Sequence, residues 1–147
     1  MPRLTQFVID LELALQLCEA ARARASARAA QVSVAVVDAG GHMVAFQRMD
    51  GAEIAGPVLA RDKAYTAVAH RISTAELQPE VGERGDLTGM FAADGGRYVC
   101  FPGGLPLWSG DRVVGGVGVS GGSADDDADA AQAAAGVWAL AEEAGRV

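Results

Sequence analysis

The chain has 147 residues, 50% apolar and 21% charged, and its 12 Lys+Arg against 19 Asp+Glu give a net charge of −7 with a pI near 4.7. A chain of this size buries roughly 68–70% of its extended surface, so one domain over 1–147 is expected to stand on its own core, and two distant cysteines, Cys18 and Cys100, offer neither a disulfide framework nor a four-thiolate zinc site. The acidic balance and the single lysine, Lys63, argue against a nucleic-acid partner; no window holds the ~18 unbroken apolar residues of a membrane span, and Met1 to Gln6 lack a leader pattern, so a cytoplasmic protein is expected.

Strong helix formers from Leu4 to Ala30, with Phe7, Leu11, Ala14, Leu15 and Cys18 at steps of three and four, predict a first amphipathic helix. Val32 to Val37 is β-branched and apolar on both faces, as in a strand covered on both sides. Asp38-Ala39-Gly40-Gly41 then supplies a hairpin turn into a second strand, His42 to Met49. Strict alternation would put His42, Val44, Phe46 and Arg48 on one face and Met43, Ala45, Gln47 and Met49 on the other.

Pro57 suits the first turn of a helix running to about Arg71, with Val58, Leu59, Tyr65, Val68, Ala69 and Ile72 as its apolar stripe. Ser73-Thr74-Ala75-Glu76 has the spacing of a capping box, and Glu80 to Gly96 reads as a long loop with one helical turn near Leu87 to Phe91. Arg97 to Phe101 predicts a strand, Pro102 to Pro106 a break, Leu107-Trp108 a short extended piece, and Arg112 to Ser120 a strand. Gly115, Gly116 and Gly118 in that last strand imply a close neighbour against its backbone. Ser123 is placed to cap a final helix reaching about Glu143, with Asp125, Asp126 and Asp127 in its first turn. The whole predicts an α+β fold: about five mainly antiparallel strands flanked by helices.

Gly116-Val117-Gly118-Val119-Ser120-Gly121 matches G-x-G-x-x-G, but no second parallel strand with an acidic residue follows, so a dinucleotide site is not expected. The acid run at Asp125 lacks the ligand spacing of a calcium loop. Two histidines, His42 and His70, cannot make a three-histidine metal site, no serine sits in a nucleophile elbow, and no metal ligands are assigned. Acid/base chemistry has candidates in Arg48, Glu53 and Lys63, which could meet on an anionic small molecule, although surface ion pairing accounts for them slightly better. Pro102-Gly103-Gly104-Leu105-Pro106 gives a fixed path whose amides could hold a carboxylate, or simply a tight loop.

Five strings occur in order: Val34 to His42, Arg48-Met49-Asp50-Gly51, Asp62 to Ala67, Phe101 to Leu107 and Gly115 to Gly122. Together they resemble the GlcG/HbpS family of small haem-binding or haem-degrading proteins, which also supplies the C-terminal domain of PduO-type corrinoid adenosyltransferases. The resemblance implies a single domain with a five-stranded antiparallel sheet, profilin-like or PAS-like, that assembles into dimers and larger rings; its members include haem binders and corrinoid-associated domains, so haem is one possible cofactor. Lys63 and the Phe101 to Pro106 loop match the family pattern directly, and the pocket is expected there.

Two functions follow as expectations. The first is a binding protein for haem or a related tetrapyrrole, with Val44, Phe46, Tyr65 and Phe101 around the ring, Arg48 and the Gly103-Gly104 amides at its polar ends, and His42 as the candidate iron ligand. The second is a cofactor-independent isomerase, tautomerase or hydrolase, in which Arg48, Gly103 and Gly104 orient an anion while Glu53, His42 or Lys63 moves a proton. In either case the alanine-rich first and last helices suggest a homo-oligomer.

Overall fold

The computed structural model describes residues 1–3 and 5–146. Its elements in chain order are α1 (Leu11–Ala27), β1 (Ser33–Asp38), β2 (Met43–Arg48), α2 (Gly56–His70), the short α3 (Thr74–Leu77), β3 (Gly104–Ser109), β4 (Arg112–Ser120) and α4 (Ala124–Glu143). The strands form one sheet in the order β2-β1-β4-β3, with every neighbouring pair antiparallel. Helices α1 and α4 cover one face and α2 the other, so the expected α+β architecture with flanking helices holds.

The sheet has four strands, not about five. Segment 97–101, expected as a strand, spends its polar groups on α2 instead: the Val99 amide donates to Thr66 Oγ1 at 3.0 Å and Arg97 Nε donates to Asp62 at 3.2 Å. The extended piece begins earlier than expected, at Gly104, and carries Pro106 within it. β3 is an edge strand, the one kind of strand where a missing N–H is tolerated.

Asp10 caps α1 by accepting the Leu13 amide at 2.8 Å, so the helix starts at Leu11; the expected start at Leu4 lies outside the described residues. Its buried stripe is Leu13, Ala14, Leu17, Cys18, Ala21 and Ala25, which leaves Phe7, Leu11 and Leu15 exposed. The C-terminus closes with paired bonds from Ala30 N–H to Ala25 O and from Ala29 N–H to Ser26 O. This turn normally takes glycine at the left-handed position, here held by Ala29 at φ 57°.

β1 is buried on both faces. Val32, Val34 and Val36 join Leu17, Val117, Val119 and Trp138 in the main core, while Ala35 and Val37 meet Ala60 and Ala64 of α2. The register against β2 slips between Val36 and Val37, so Val36 faces Ala45 whereas Val37 faces Met43. This bulge breaks the expected alternation: Met43, Phe46 and Arg48 share the α2 side through their partners Val37, Ala35 and Ser33, and Val44 packs toward the main core.

α2 buries Ala60, Lys63, Ala64 and Ala67, not the larger apolar stripe expected. Small residues win because the helix lies almost on the backbone of β4. A Cβ at Gly118 would overlap the Ala60 carbonyl oxygen, and one at Gly116 would come within 2.8 Å of Ala64 O. Ser73 and Glu76 form the expected capping box before α3, and Ser123 and Asp126 form one before α4.

Two substitutions test this packing in opposite directions. Gly118→Ala should cost about 3 kcal/mol or more, since rigid backbone cannot yield to the methyl group. Ala29→Gly should add about 0.5–1 kcal/mol by relieving the left-handed alanine. Equilibrium urea unfolding of both variants reads the sign and size; a neutral Gly118→Ala would refute the close approach of α2.

Candidate functional site

The expected site residues fall into three neighbourhoods along α2 and the β1–β2 hairpin. The deepest is centred on Lys63, which is fully buried. Its ammonium donates to Val119 O at 2.9 Å and to Asp127 Oδ2 at 3.0 Å, and lies 5.0 Å from the centre of the Phe101 ring. Asp127 in turn accepts the Gly122 amide at 2.9 Å through its other oxygen. Burial pushes the Lys63 ammonium below its ordinary range, opposed by Asp127 and by the charge of Glu53. Burial likewise pushes the Asp127 carboxyl up, opposed by Lys63 and the Gly122 and Gly121 amides.

Gly103 and Gly104 belong to this neighbourhood. A side chain on Gly103, whose φ is +126°, would come within 2.9 Å of Lys63 Nζ, and one on Gly104 would strike Lys63 O and Thr74. Their backbone is already bonded: Gly104 N–H donates to Thr74 Oγ1 at 2.9 Å, and Gly103 O accepts the Val119 amide at 2.9 Å. Phe101 covers Lys63 with its ring 41% exposed as a residue, and Glu53 is exposed on the loop before α2.

The second neighbourhood lies on the outer side of α2. Asp62 accepts from Arg61 Nε at 2.9 Å and Arg97 Nε at 3.2 Å, and the Arg97 guanidinium stands 3.5 Å over the Tyr65 ring. Tyr65 Oη donates to Asp94 at 2.5 Å, which raises its pKa, and its ring stacks with Tyr98 at 6.1 Å. Tyr98 meets His70 edge-on at 4.5 Å; burial lowers the His70 pKa. These contacts fasten residues 94–101 across α2.

The third neighbourhood is the tip of the β1–β2 hairpin. His42 projects with its side chain 80% exposed, and its Nδ1 sits 3.1 and 3.3 Å from the two Asp38 oxygens. Asp38 also accepts the Gly40 and His42 amides at 2.9 and 3.0 Å, which shapes the turn. Beside it an open groove of about 330 Å³ is lined by Gly40, Gly41, Tyr65, Val68, Ala69 and Arg71, among others. Gly41, at φ 79°, is needed there because a Cβ would press into the Tyr65 ring.

The structure thus unites Lys63, Phe101, Gly103 and Gly104, brings His42 and Tyr65 to the hairpin tip, and leaves Phe46 and Arg48 along β2. Sequence reasoning missed Asp38, Arg71 and Asp127 as partners. Asp38 was legible as an acid four residues before His42 across a glycine turn; Asp127 was read only as part of a helix-start acid run. Among the described residues no three His, Cys, Asp or Glu side chains gather to hold a metal ion, and no helix is long and apolar enough to cross a membrane.

Residues 9–136 match the family described as haem degrading protein HbpS-like. Corrinoid adenosyltransferase PduO of Salmonella typhimurium is 40% identical over 119 residues, 81% of this chain but 35% of that protein, so the chain spans about a third of that relative. Klebsiella pneumoniae protein ORFY has a structure that aligns at a TM-score of 0.90 with 32% identity, covering 95% of this chain and 97% of that one. A PduOC:haem complex aligns at 0.85 with 37% identity, covering 88% and 94%.

The buried pair makes a prediction. Lys63→Met leaves Asp127 without its counter-charge and should cost about 3–5 kcal/mol, whereas Lys63→Met with Asp127→Leu should recover most of that loss. In the single variant Asp127 keeps a pKa raised above its unfolded value, so its folded form binds the proton more tightly. The stability deficit against wild type should therefore shrink as pH falls through that raised pKa toward 3.8. Thermal melts from pH 7 to 4 check both points, and a deficit that grows on acidification would contradict the assignment.

Proposed function

The chain belongs to the HbpS-like family, and on that premise we propose that it binds haem or a closely related tetrapyrrole at the tip of the β1–β2 hairpin. The observation that carries this reading is the state of His42. Asp38 lies against Nδ1, and a neutral ring that donates Nδ1–H to it carries its lone pair on Nε2 of a projecting imidazole, the arrangement in which a carboxylate orients a metal-ligating imidazole. The groove alongside offers Val68, Ala69, Val113 and the edge of Tyr65 to a porphyrin, and Arg71 as a cation for a propionate. The likeness to a PduOC:haem complex supports the same ligand.

When bound, the iron supplies the redox or ligand-sensing chemistry. The protein's part is to hold Nε2 at a fixed orientation, to set Val68 and Val113 against the ring, and to place Arg71 near the carboxylates. One open wall covers one face of a planar ring, so in this reading a second copy of the chain closes the other. Exposed Phe7, Val8, Leu11 and Leu15 give such a copy apolar surface to bury. Free, buried Cys18 and Cys100 suit a reducing cytoplasm.

The cofactor-independent acid/base enzyme is not favoured. Lys63 is committed to Asp127 and Val119, the Gly104 amide to Thr74, and His42 stands at the hairpin tip beside Asp38.

Haemin titration of the purified chain should give a saturable Soret shift. His42→Ala should abolish the spectral signature of an iron-bound imidazole, and Asp38→Ala should weaken binding about 10-fold through loss of ring orientation. Non-saturating association that is indifferent to both substitutions would overturn the site.

A further inference from the structure

At the opposite end of the same hairpin, where α1 gives way to β1 and β2 ends, lies a larger open groove of about 700 Å³. Arg22 and Arg48 line it, with Gln31, Ser26, Met49 and Asp50. Neither arginine makes an ion pair among the described residues, whereas Arg24 and Arg28 on the same helix are tied to Asp129 and Asp126. Arg22 Nε is buried and has no acceptor. A guanidinium nitrogen removed from water without a partner is costly to maintain, and because Nε itself is closed to solvent, an anion in the groove would engage the part of the Arg22 guanidinium that lines it.

The walls are built rather than loose. Met49 Sδ accepts the Val32 amide at 3.4 Å, and the Gln31 carboxamide packs so closely on Gly51 that a Cβ there would meet it at 2.7 Å. Ala29, another lining residue, is held in the left-handed conformation noted above, the kind of local strain that persists at binding sites.

We propose that this groove is a second ligand site, separate from the hairpin tip, that takes a small molecule with two anionic groups, one for each guanidinium fork. Two forks on different elements suit two phosphoryl or carboxylate groups, since each fork can bind one oxyanion through paired N–H donors. The volume exceeds what a lone phosphate fills and lies within the range of small-molecule sites. Asp50 on the same wall adds an acceptor for a hydroxyl on the ligand, and its charge disfavours a ligand whose acid groups crowd that side. In a protein of net charge −7, two unpaired cations in one groove are a local reversal of sign.

The test is calorimetric titration of the full chain with inorganic pyrophosphate and, separately, with succinate. Saturable one-site binding of at least one probe is expected, weakened at least 10-fold in both Arg22→Gln and Arg48→Gln; which probe binds separates the phosphoryl from the carboxylate class. Arg48 is exposed, so its variant remains informative if Arg22→Gln is less stable. Haemin titration of both variants should match wild type. Failure of both probes to bind, or binding that survives both substitutions, overturns the proposal, whatever the outcome at His42.

Discussion

The contact on which the architecture turns is backbone against backbone: the carbonyls of Ala60 and Ala64 in α2 lie over Gly116 and Gly118 of β4. Helices normally stand off a sheet by the depth of their side chains. Here glycines below and alanines above remove that depth, and Lys63 has no room to reach water. Its ammonium goes instead along the helix to the end of β4, where Val119 O, Asp127 and the Phe101 ring receive it. The start of α4 and the 101–104 loop are thereby positioned by a helix on the other side of the sheet.

Such a pair is a poor source of net stability, since desolvating two charges consumes most of their attraction. The opposed shifts of Lys63 downward and Asp127 upward express that cost. What the pair contributes is placement. A buried ammonium accepts few alternative partners, so α2, β4 and α4 meet in one register. The bonded Gly103 and Gly104 backbone then fixes where β3 begins.

Elements with a local cause were legible in the sequence. The Ser73 capping box, the Ser123 cap, the Gly40-Gly41 turn and the β-branched run at Val32 to Val37 each depend on neighbours a few residues away. The glycines of β4 were read as the mark of a close neighbour, and α2 is that neighbour for Gly116 and Gly118, while Gly115 lies against Val37 O and Ile9. The misses have non-local causes. Arg97 to Phe101 has strand composition, but Thr66 and Asp62 on α2 take its hydrogen bonds. The register slip at Val36/Val37 reverses Val44, which alternation had placed beside Phe46. α2 was assigned its largest apolar residues as a buried face, whereas the glycine floor beneath admits only small ones. The same holds for the site: Lys63 was identified as a special residue, but its partner Asp127 is 64 positions away and looked like ordinary helix-start charge.

The β1–β2 hairpin is well suited to carry function at both ends. β1 is central, buried on both faces and paired on both edges, so it acts as a stiff rod. Whatever is fixed at its tip, where Asp38 orients His42, keeps a constant distance from whatever is fixed at its base, where Ser33 pairs with Arg48. β2 between them is an edge strand with Phe46 39% and Met43 43% exposed. Rigid ends joined by an exposed apolar edge are what a scaffold needs to hold side chains still without occluding them, because the order comes from the buried strand and the access from the open one.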